Sequence, residues 1–280
     1  MEVADRIGRA SGSLTNAERR VAEVVLANPQ LVAFGTVAEL AEGAGSGAAT
    51  VVRLATKLGY EGFSALQDSV QQDLANQLRP AAERIRDPAV HDSLNRHLQL
   101  ELGNVQSTLG LLDQEAVADV VSHLADPARR LFVLSGDASR GVAAQFVGDL
   151  DALRANVTLV DGNDVAVRRK VALMEAGDVL VTIDLRRYDR WLVEAARTAA
   201  DAGVWLVSIV DSMLSPVAAC AKRTLVVTAA GAGPFDSHVG TLALMNVLVA
   251  AVAIRLRGMA TERLDRTEAA WRASNALTER

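Results

Sequence analysis

Residues 36–58 decide the fold of the first part of the chain, and they read TVAELAEGAGSGAATVVRLATKL. Thr36 and, three residues later, Glu39 have the spacing of a capping box, which predicts the start of a helix. A glycine-containing turn at 45–47 leads into a second predicted helix over 48–58, which ends before a glycine. Two short helices joined by such a turn are typical of the helix-turn-helix motif, whose second helix enters the major groove of duplex DNA.

The second of these helices has two faces. Thr50, Arg53 and Lys57 share one side, where the two cations can meet a phosphate or a guanine edge. Val51 and Leu54 fall on the opposite, core-facing side. The small residues at the start of the helix allow a close approach to a groove. The candidate DNA-binding residues are therefore Thr36, Ser46, Ala48, Ala49, Thr50, Arg53 and Lys57.

The charge of this segment does not favour DNA binding. The first 80 residues carry seven Arg and Lys against nine Asp and Glu, so their net charge is −2. A domain that binds DNA usually has a basic face. An ordinary three-helix bundle shows the same pattern and stays open as an alternative. If the segment binds DNA, its affinity as a monomer is modest, and we expect a dimer on two half-sites.

Helical patterns continue on both sides of the motif. Thr15 and Glu18 repeat the capping-box spacing and begin a helix that ends before Pro29. A further helix is predicted over 64–78. Leucines at helical spacing follow, without a Gly/Ser-rich segment, so the sequence predicts a helical connector over 79–128.

From residue 130 the hydrophobic period changes. Short apolar runs rich in β-branched residues alternate with helical patterns, which favours a parallel sheet covered by helices on both faces. Ligands of such sheets bind at the carboxyl ends of the strands. The runs are 131–134, 157–160, 179–183, 204–210 and 224–228, and the helical patterns are 139–154, 164–175, 189–202, 215–221 and 237–256.

Composition excludes several classes of protein. The chain has 280 residues, a net charge of −5 and 50% hydrophobic residues, which is enough for a sizeable core. Its one cysteine, Cys220, cannot form an internal disulfide. The longest apolar run, 239–254, is too short for a membrane span, and the start lacks the apolar segment of a signal peptide. We therefore expect a cytoplasmic protein without a membrane partner.

Several stretches of the first 64 residues closely resemble the N-terminal domain of the RpiR family of transcriptional regulators. They are 14–22 (LTNAERRVA), 36–41 (TVAELA), 49–54 (ATVVRL), 57–60 (KLGY) and 62–64 (GFS). The order of the two halves is also similar to that family, whose second half is a SIS (sugar isomerase) domain that binds phosphosugars.

The resemblance implies an all-α helix-turn-helix bundle followed by a three-layer α/β SIS domain with a five-stranded parallel sheet. It implies a helix-turn-helix DNA-binding domain over 1–78, the connector over 79–128, a SIS-like ligand-binding domain over 129–256 and a helical tail over 257–280. It also implies a homodimer or homotetramer.

The chain departs from the family in three loops. Where the family has Val-Ser before the recognition helix, this chain has Ser46-Gly47, so either residue can cap the helix. The family's Gly-x-Gly-x-Ser loop reads Ser135-Gly136-Asp137-Ala138-Ser139, with Ser139 kept. A carboxylate from Asp137 at a helix N-terminus would discourage a phosphate.

The third departure follows the third strand. The family's Ser-x-Ser-Gly-x-Thr loop reads Asp184-Leu185-Arg186-Arg187-Tyr188-Asp189, which has lost the three hydroxyls and the glycine. The usual phosphosugar geometry is therefore not expected.

Polar side chains still follow the predicted strands, and they predict a pocket for a polar metabolite. Arg186 or Arg187 could hold an anionic group of the ligand with two hydrogen bonds. The alternative is that these side chains are helix caps and surface ion pairs. The candidate ligand-binding residues are Ser135, Asp137, Ser139, Asp184, Arg186, Arg187, Tyr188, Asp211, Ser212, Asp236, Ser237 and His238.

The sequence thus predicts a DNA-binding regulator that senses a small polar metabolite, either a sugar phosphate or a related carbohydrate-pathway compound. Its partners would be a double-stranded DNA operator, the effector and a second copy of the chain. A SIS-type sugar-phosphate isomerase with an appended helical domain, and a regulator that no longer senses a ligand, remain alternatives. No catalytic residue and no cofactor are predicted, since the chain lacks a clear acid/base pair. No metal site is predicted either, because His91, His97, His123 and His238 lack metal-ligand spacing.

Overall fold

A computed structural model describes residues 2–77, 80–86, 94–213 and 215–278 of the chain. Outside these residues lie the predicted end of a helix at Leu78, the candidate His91, and part of the predicted connector. The chain divides into two compact units, 1–100 with 212–214 and 230–237, and 101–211 with 215–229 and 238–280.

The first unit is built of short helices. They are α1 (Glu2–Ala10), α2 (Asn16–Ala27), α3 (Pro29–Phe34), α4 (Val37–Gly43), α5 (Ala48–Lys57), α6 (Phe63–Gln77) and α7 (Ala81–Arg84). Thr15 and Thr36 accept a backbone N–H from Glu18 and Glu39, and each glutamate accepts the threonine N–H, so both predicted capping boxes are confirmed.

The predicted end of α2 before Pro29 is confirmed, but a short helix that was not predicted starts at this proline. Proline fits the first helical position because its missing N–H would have no partner there, and the Asn28 side chain caps the new helix. The core of the unit consists of apolar side chains from α1 to α6, among them Val21, Val25, Leu40, Val51, Leu54 and Leu66.

The second unit contains a five-stranded sheet in which every pairing is parallel. Its strands are β1 (Leu131–Ser135), β2 (Val157–Val160), β3 (Val179–Asp184), β4 (Trp205–Val210) and β5 (Arg223–Val226), in the order β2-β1-β3-β4-β5. The helices in and around it are α8 (Leu94–Gly110), which begins in the first unit, α9 (Gln114–Leu124), α10 (Arg140–Leu153), α11 (Asp164–Ala172), α12 (Arg190–Asp201), α13 (Val239–Arg255) and α14 (Arg257–Ser274).

Two apolar cores lie on the two faces of this sheet. Residues alternate along β3, so Val179 and Val181 pack with α9, α10 and α13, while Leu180 packs with α11 and α12. The predicted α/β three-layer fold is therefore confirmed. The tentative helix at 215–221 is only a short 3₁₀ turn, Ala218–Cys220.

The strands all run parallel, but the direction in which successive strands are added across the sheet reverses at β1. β1 leads through α10 to β2 on one side of the sheet, whereas β3 lies on the other side of β1. Loops at such a switch point separate and leave a crevice at the carboxyl ends of the strands. The loops that follow β1 and β3 are therefore where a ligand site of this sheet is expected.

Among the described helices, no single one is long and apolar enough to cross a membrane. Helices α13 and α14 reach that length only together, across a bend of 102°.

Candidate DNA-binding and effector sites

The turn between α4 and α5 has left-handed backbone at Gly45, whose φ is +53°, a value that favours glycine. Gly47 occupies the N-cap position of α5, so no side chain caps this helix. The hydroxyl of Ser46, the other capping candidate, is buried without a hydrogen-bond partner among the described residues. Arg20 supports the turn, because its guanidinium donates to the carbonyls of Ala44 and Gly45 at 3.3 and 3.4 Å.

Not all of the predicted α5 contacts lie on the surface. Ala48, Ala49 and Arg53 are exposed, whereas Thr50 is only 7% exposed, and it therefore has little surface to offer to DNA. Its hydroxyl accepts a hydrogen bond from Arg53 Nη2 at 3.2 Å. Thr50 thus orients the Arg53 guanidinium on the exposed face.

Lys57 is already engaged within the first unit. Its Nζ lies 3.0 Å from Glu18 Oε2 and also donates to the Ser13 carbonyl. The Thr15 backbone N–H, the Lys57 hydrogen bond and the Lys57 charge lower the pKa of Glu18 to about 2, against the effect of burial. Lys57 therefore fastens the end of α5 to the start of α2, a role that its spacing in the sequence does not indicate.

Two exposed residues of α5 were not among the predicted DNA-binding residues. Val52, which is 42% exposed, and Thr56 lie on the same face as Ala49 and Arg53. The positions 49, 52, 53 and 56 follow helical spacing, and this was the signal available in the sequence. An exposed apolar side chain beside an arginine suits a groove surface, because valine can contact the methyl group of thymine.

In the second unit, the loops after β1 and β3 meet through aspartates. Asp189 Oδ2 accepts the backbone N–H of Asp137 at 3.0 Å. The carboxylate of Asp137 is exposed and accepts from Arg140 Nη2 at 2.7 Å. The Asp137 carboxylate lies at the start of the helical turn, as the sequence indicates, but it does not contact the loop amide. It faces Arg140, and the negative charge at the loop amide comes from Asp189.

Asp184, the last residue of β3, is the buried centre of this network. It is 4% exposed, and its Oδ2 accepts the backbone N–H of Asp189 at 2.8 Å. Burial raises the pKa of Asp184 to about 7; the Asp189 N–H opposes this shift, and the charges of Asp189 and Asp211 add to it. A carboxyl group with this pKa changes charge near neutral pH.

Asp211 holds the other end of the β3 loop. Its Oδ1 accepts the backbone N–H of Arg186 and the hydroxyl of Tyr188, both at 2.9 Å. Burial, followed by the charge of Asp211, raises the pKa of Tyr188. Asp211 thereby holds the loop in place. It also stabilises the backbone of Arg186, whose φ of +59° is left-handed and unusual for arginine.

The two candidate arginines differ in their surroundings. Arg186 Nη2 donates to the carbonyl of Ala229 at 2.9 Å. Arg187 is exposed, and its guanidinium has no hydrogen-bond or ion-pair partner among the residues that the structure describes. Arg187 is therefore the arginine that is available to a ligand.

The remaining candidates occupy three different settings. Ser135 ends β1, and Ser139 is buried just before α10. Ser212, Asp236 and Ser237 belong to the first unit, where Asp236 accepts from Arg84 Nη1 at 2.9 Å. His238 precedes α13 in the second unit. Within the described ranges, no group of three His, Cys, Asp or Glu side chains could hold a metal ion.

Two domain families match the chain. The helix-turn-helix domain of the rpiR family matches residues 1–77, and the SIS domain matches residues 124–251. An HTH-type transcriptional regulator of Haemophilus influenzae is 31% identical over 231 residues, which cover 80% of this chain and 79% of that protein. The regulator HexR of Pseudomonas aeruginosa is 27% identical over 252 residues, which cover 86% of each chain.

A solved structure shares the fold of the whole chain. The Vibrio vulnificus NanR protein, complexed with ManNAc-6P, aligns over 99% of this chain and 100% of its own, with a TM-score of 0.59 and 20% identity. At that identity the likeness shows the fold alone.

Asp184 should make the stability of the protein depend on pH near neutrality. Its folded pKa of about 7 lies above its ordinary value of 3.8, so the folded state binds its proton more tightly and gains stability as the pH falls from 8 to 6. The gain is roughly 1 kcal/mol, because one pKa unit corresponds to about 1.4 kcal/mol. Urea unfolding at pH 8, 7 and 6 measures it.

Asp184→Asn, which resembles the protonated carboxyl, should lack this gain. The two proteins differ only at this residue, so the difference between the two pH profiles isolates the contribution of Asp184. Parallel profiles would contradict the pKa assignment.

The pair of Lys57 and Glu18 should stabilise the first unit above about pH 4.5. The folded pKa of Glu18 is lowered from its ordinary 4.5, so its stabilisation is present above that value and is lost as the pH falls towards 2. Lys57→Met should cost about 1 kcal/mol at pH 7 and less at pH 3. Lys222→Met, which removes an exposed lysine of the second unit, is the control. Equal losses in the two variants would argue against the pair.

Proposed function

The chain belongs to the RpiR family of DNA-binding transcriptional regulators, and we propose that its SIS domain senses a small polar metabolite and thereby controls binding to an operator. The effector would be a sugar phosphate or a related carbohydrate-pathway compound. The observation that carries this proposal is a helix-turn-helix segment followed in one chain by a sheet whose switch-point loops are lined with polar side chains.

We place DNA contact on the exposed face of α5. Arg53 is the central residue, because its guanidinium is exposed and oriented by Thr50. Ala48 and Ala49 allow the backbone to approach a groove, and Val52 adds an apolar contact. Because Arg20 and Lys57 contact groups of their own unit, the described surface around α5 offers few free cations, which supports a homodimer or homotetramer on paired half-sites.

We place effector contact at the loops after β1 and β3, in a SIS-like domain over 129–256. Arg187 is an exposed cation there, and the hydrogen bond between Tyr188 and Asp211 holds the residue next to it. A ligand can shift the protein from one conformation to another only if it binds one of the two more tightly. Aspartates hold this loop at several points. A ligand that replaces one of these hydrogen bonds would therefore change the conformation of the whole loop, which suits the loop to such a shift.

A regulatory rather than enzymatic role agrees with the relatives, which are named as transcriptional regulators. The SIS domain is shared with isomerases, so turnover of ketose and aldose phosphates is the direct test of the alternative. Absence of turnover by the purified chain is the expected result.

Arg53→Ala should weaken binding to a selected genomic fragment by about 1–3 kcal/mol and leave the fold intact. Fluorescence anisotropy at fixed salt measures the affinity, and circular dichroism checks the fold. Arg197→Ala removes an exposed arginine of α12 in the second unit and is the matched control. If both variants bind like the wild type, α5 is not the recognition helix.

A metabolite panel at millimolar concentration should contain a compound that raises the melting temperature. A ligand at 100 times its Kd stabilises the folded state by about 2.7 kcal/mol. Arg187→Ala should reduce this shift and the ligand's effect on DNA binding, without changing the DNA affinity of the free protein. A panel without any stabilising compound would favour a regulator that has lost its effector.

A further inference from the structure

The backbone N–H of Asp137 lies at a position where proteins often bind anions. It follows β1 at the switch point of the sheet and begins the 3₁₀ turn Asp137–Ser139 that leads into α10, and backbone N–H groups that enter a helix attract negative charge. In this chain the N–H already has an anionic partner, because Asp189 Oδ2 accepts it at 3.0 Å.

Asp189 does not make the hydrogen bond that is usual for an aspartate at its position. It is the N-cap residue of α12, where an aspartate normally accepts an N–H of its own helix. Its side chain makes no such bond and reaches across to the β1 loop. Its backbone N–H is held by Asp184 at 2.8 Å. The conformation of Asp189 is thus fixed from both its backbone and its side chain.

The two carboxylates also fill the space beside Gly136. A Cβ atom on this glycine would lie 2.5 Å from Asp184 Oδ1 and 3.1 Å from Asp189 Oδ2. Asp184 and Asp189 therefore lie closer to the loop backbone than any residue with a side chain would allow. A tetrahedral anion that approached this backbone would collide with them.

The arginines described near this loop contact other groups or are exposed. Arg140 pairs with the exposed carboxylate of Asp137 at 2.7 Å, and Arg186 donates through Nη2 to the Ala229 carbonyl. Arg187 points to solvent as an exposed side chain. A phosphate at the β1 loop would meet the Asp189 carboxylate and the partly protonated carboxyl group of Asp184 at short distance, and like charges repel strongly in a partly buried site.

We propose that Asp189 is the specificity-determining residue of this domain: it occupies the anion position of the β1 loop from within and excludes phosphate from it. The ligand then presents hydroxyl or amino groups, rather than a phosphate, to this loop. The inference rests on the proposed effector role of the domain and narrows the class of effector.

The test uses the full-length chain and inorganic phosphate as the probe, titrated by calorimetry at constant ionic strength and pH 7. Asp189→Ser frees the Asp137 N–H and keeps a residue that can cap α12. Asp189→Asn removes the charge but keeps an oxygen acceptor. Asp201→Ser removes an exposed aspartate from the far end of the same helix and serves as the control.

We expect Asp189→Ser to bind phosphate about tenfold more tightly than the wild type and the control, because both the occupant and its charge are removed. Asp189→Asn should gain less, since its amide oxygen can still accept the Asp137 N–H. If Asp189→Ser does not fold, a gain of about threefold in Asp189→Asn is the supporting result.

A folded Asp189→Ser that binds phosphate no better than Asp201→Ser would overturn the proposal, as would a wild type that binds as tightly as the variant. These outcomes are separate from the proposed function. Phosphate binding is measured without DNA, whereas failure of the wild type to bind any genomic fragment would count against the regulator itself.

Discussion

Parallel strands bring their carboxyl ends to one edge of a sheet, and in this protein aspartates that accept backbone N–H groups hold that edge together. Asp184 accepts from Asp189, Asp189 from Asp137, and Asp211 from Arg186. Each bond joins two loops or fixes one, so the shape of the switch-point crevice depends on all three. A carboxylate is strong in this role because a hydrogen bond to a charged acceptor is worth more than one between neutral groups.

The same kind of interaction stabilises the first unit. Glu18 completes a capping box with Thr15 and also binds Lys57, which ties two helices that are distant in sequence. The charge of Lys57, one helical turn from Arg53, is thus paired with a carboxylate of its own unit. The exposed surface of α5 that we propose for DNA contact is apolar at Val52 and charged at Arg53.

Local features of the fold could be predicted from the sequence, because their causes are local. The capping boxes at Thr15 and Thr36 and the alternation of strands and helices after residue 130 each depend on residues within one element. The partner of each charged side chain could not be predicted. The Asp137–Asp189 contact spans 52 positions and the Lys57–Glu18 contact 39, and only the packed structure brings these groups together. The short helix α3 was missed because a proline both ends one helix and begins another.

The loop after β1 shows why a change of residue type does not by itself reveal its effect. A new carboxylate at Asp137 suggests repulsion of an anion, yet that side chain turns outward to Arg140. The repulsive charge comes from Asp189, a residue of the neighbouring strand's loop. Asp184 accepts the backbone N–H of Asp189, and the lack of a side chain at Gly136 leaves room for both carboxyl groups. In the proposed selection of the ligand, the loops after β1 and β3 therefore act together. A substitution of Asp189, in the loop after β3, therefore changes what the loop after β1 can bind.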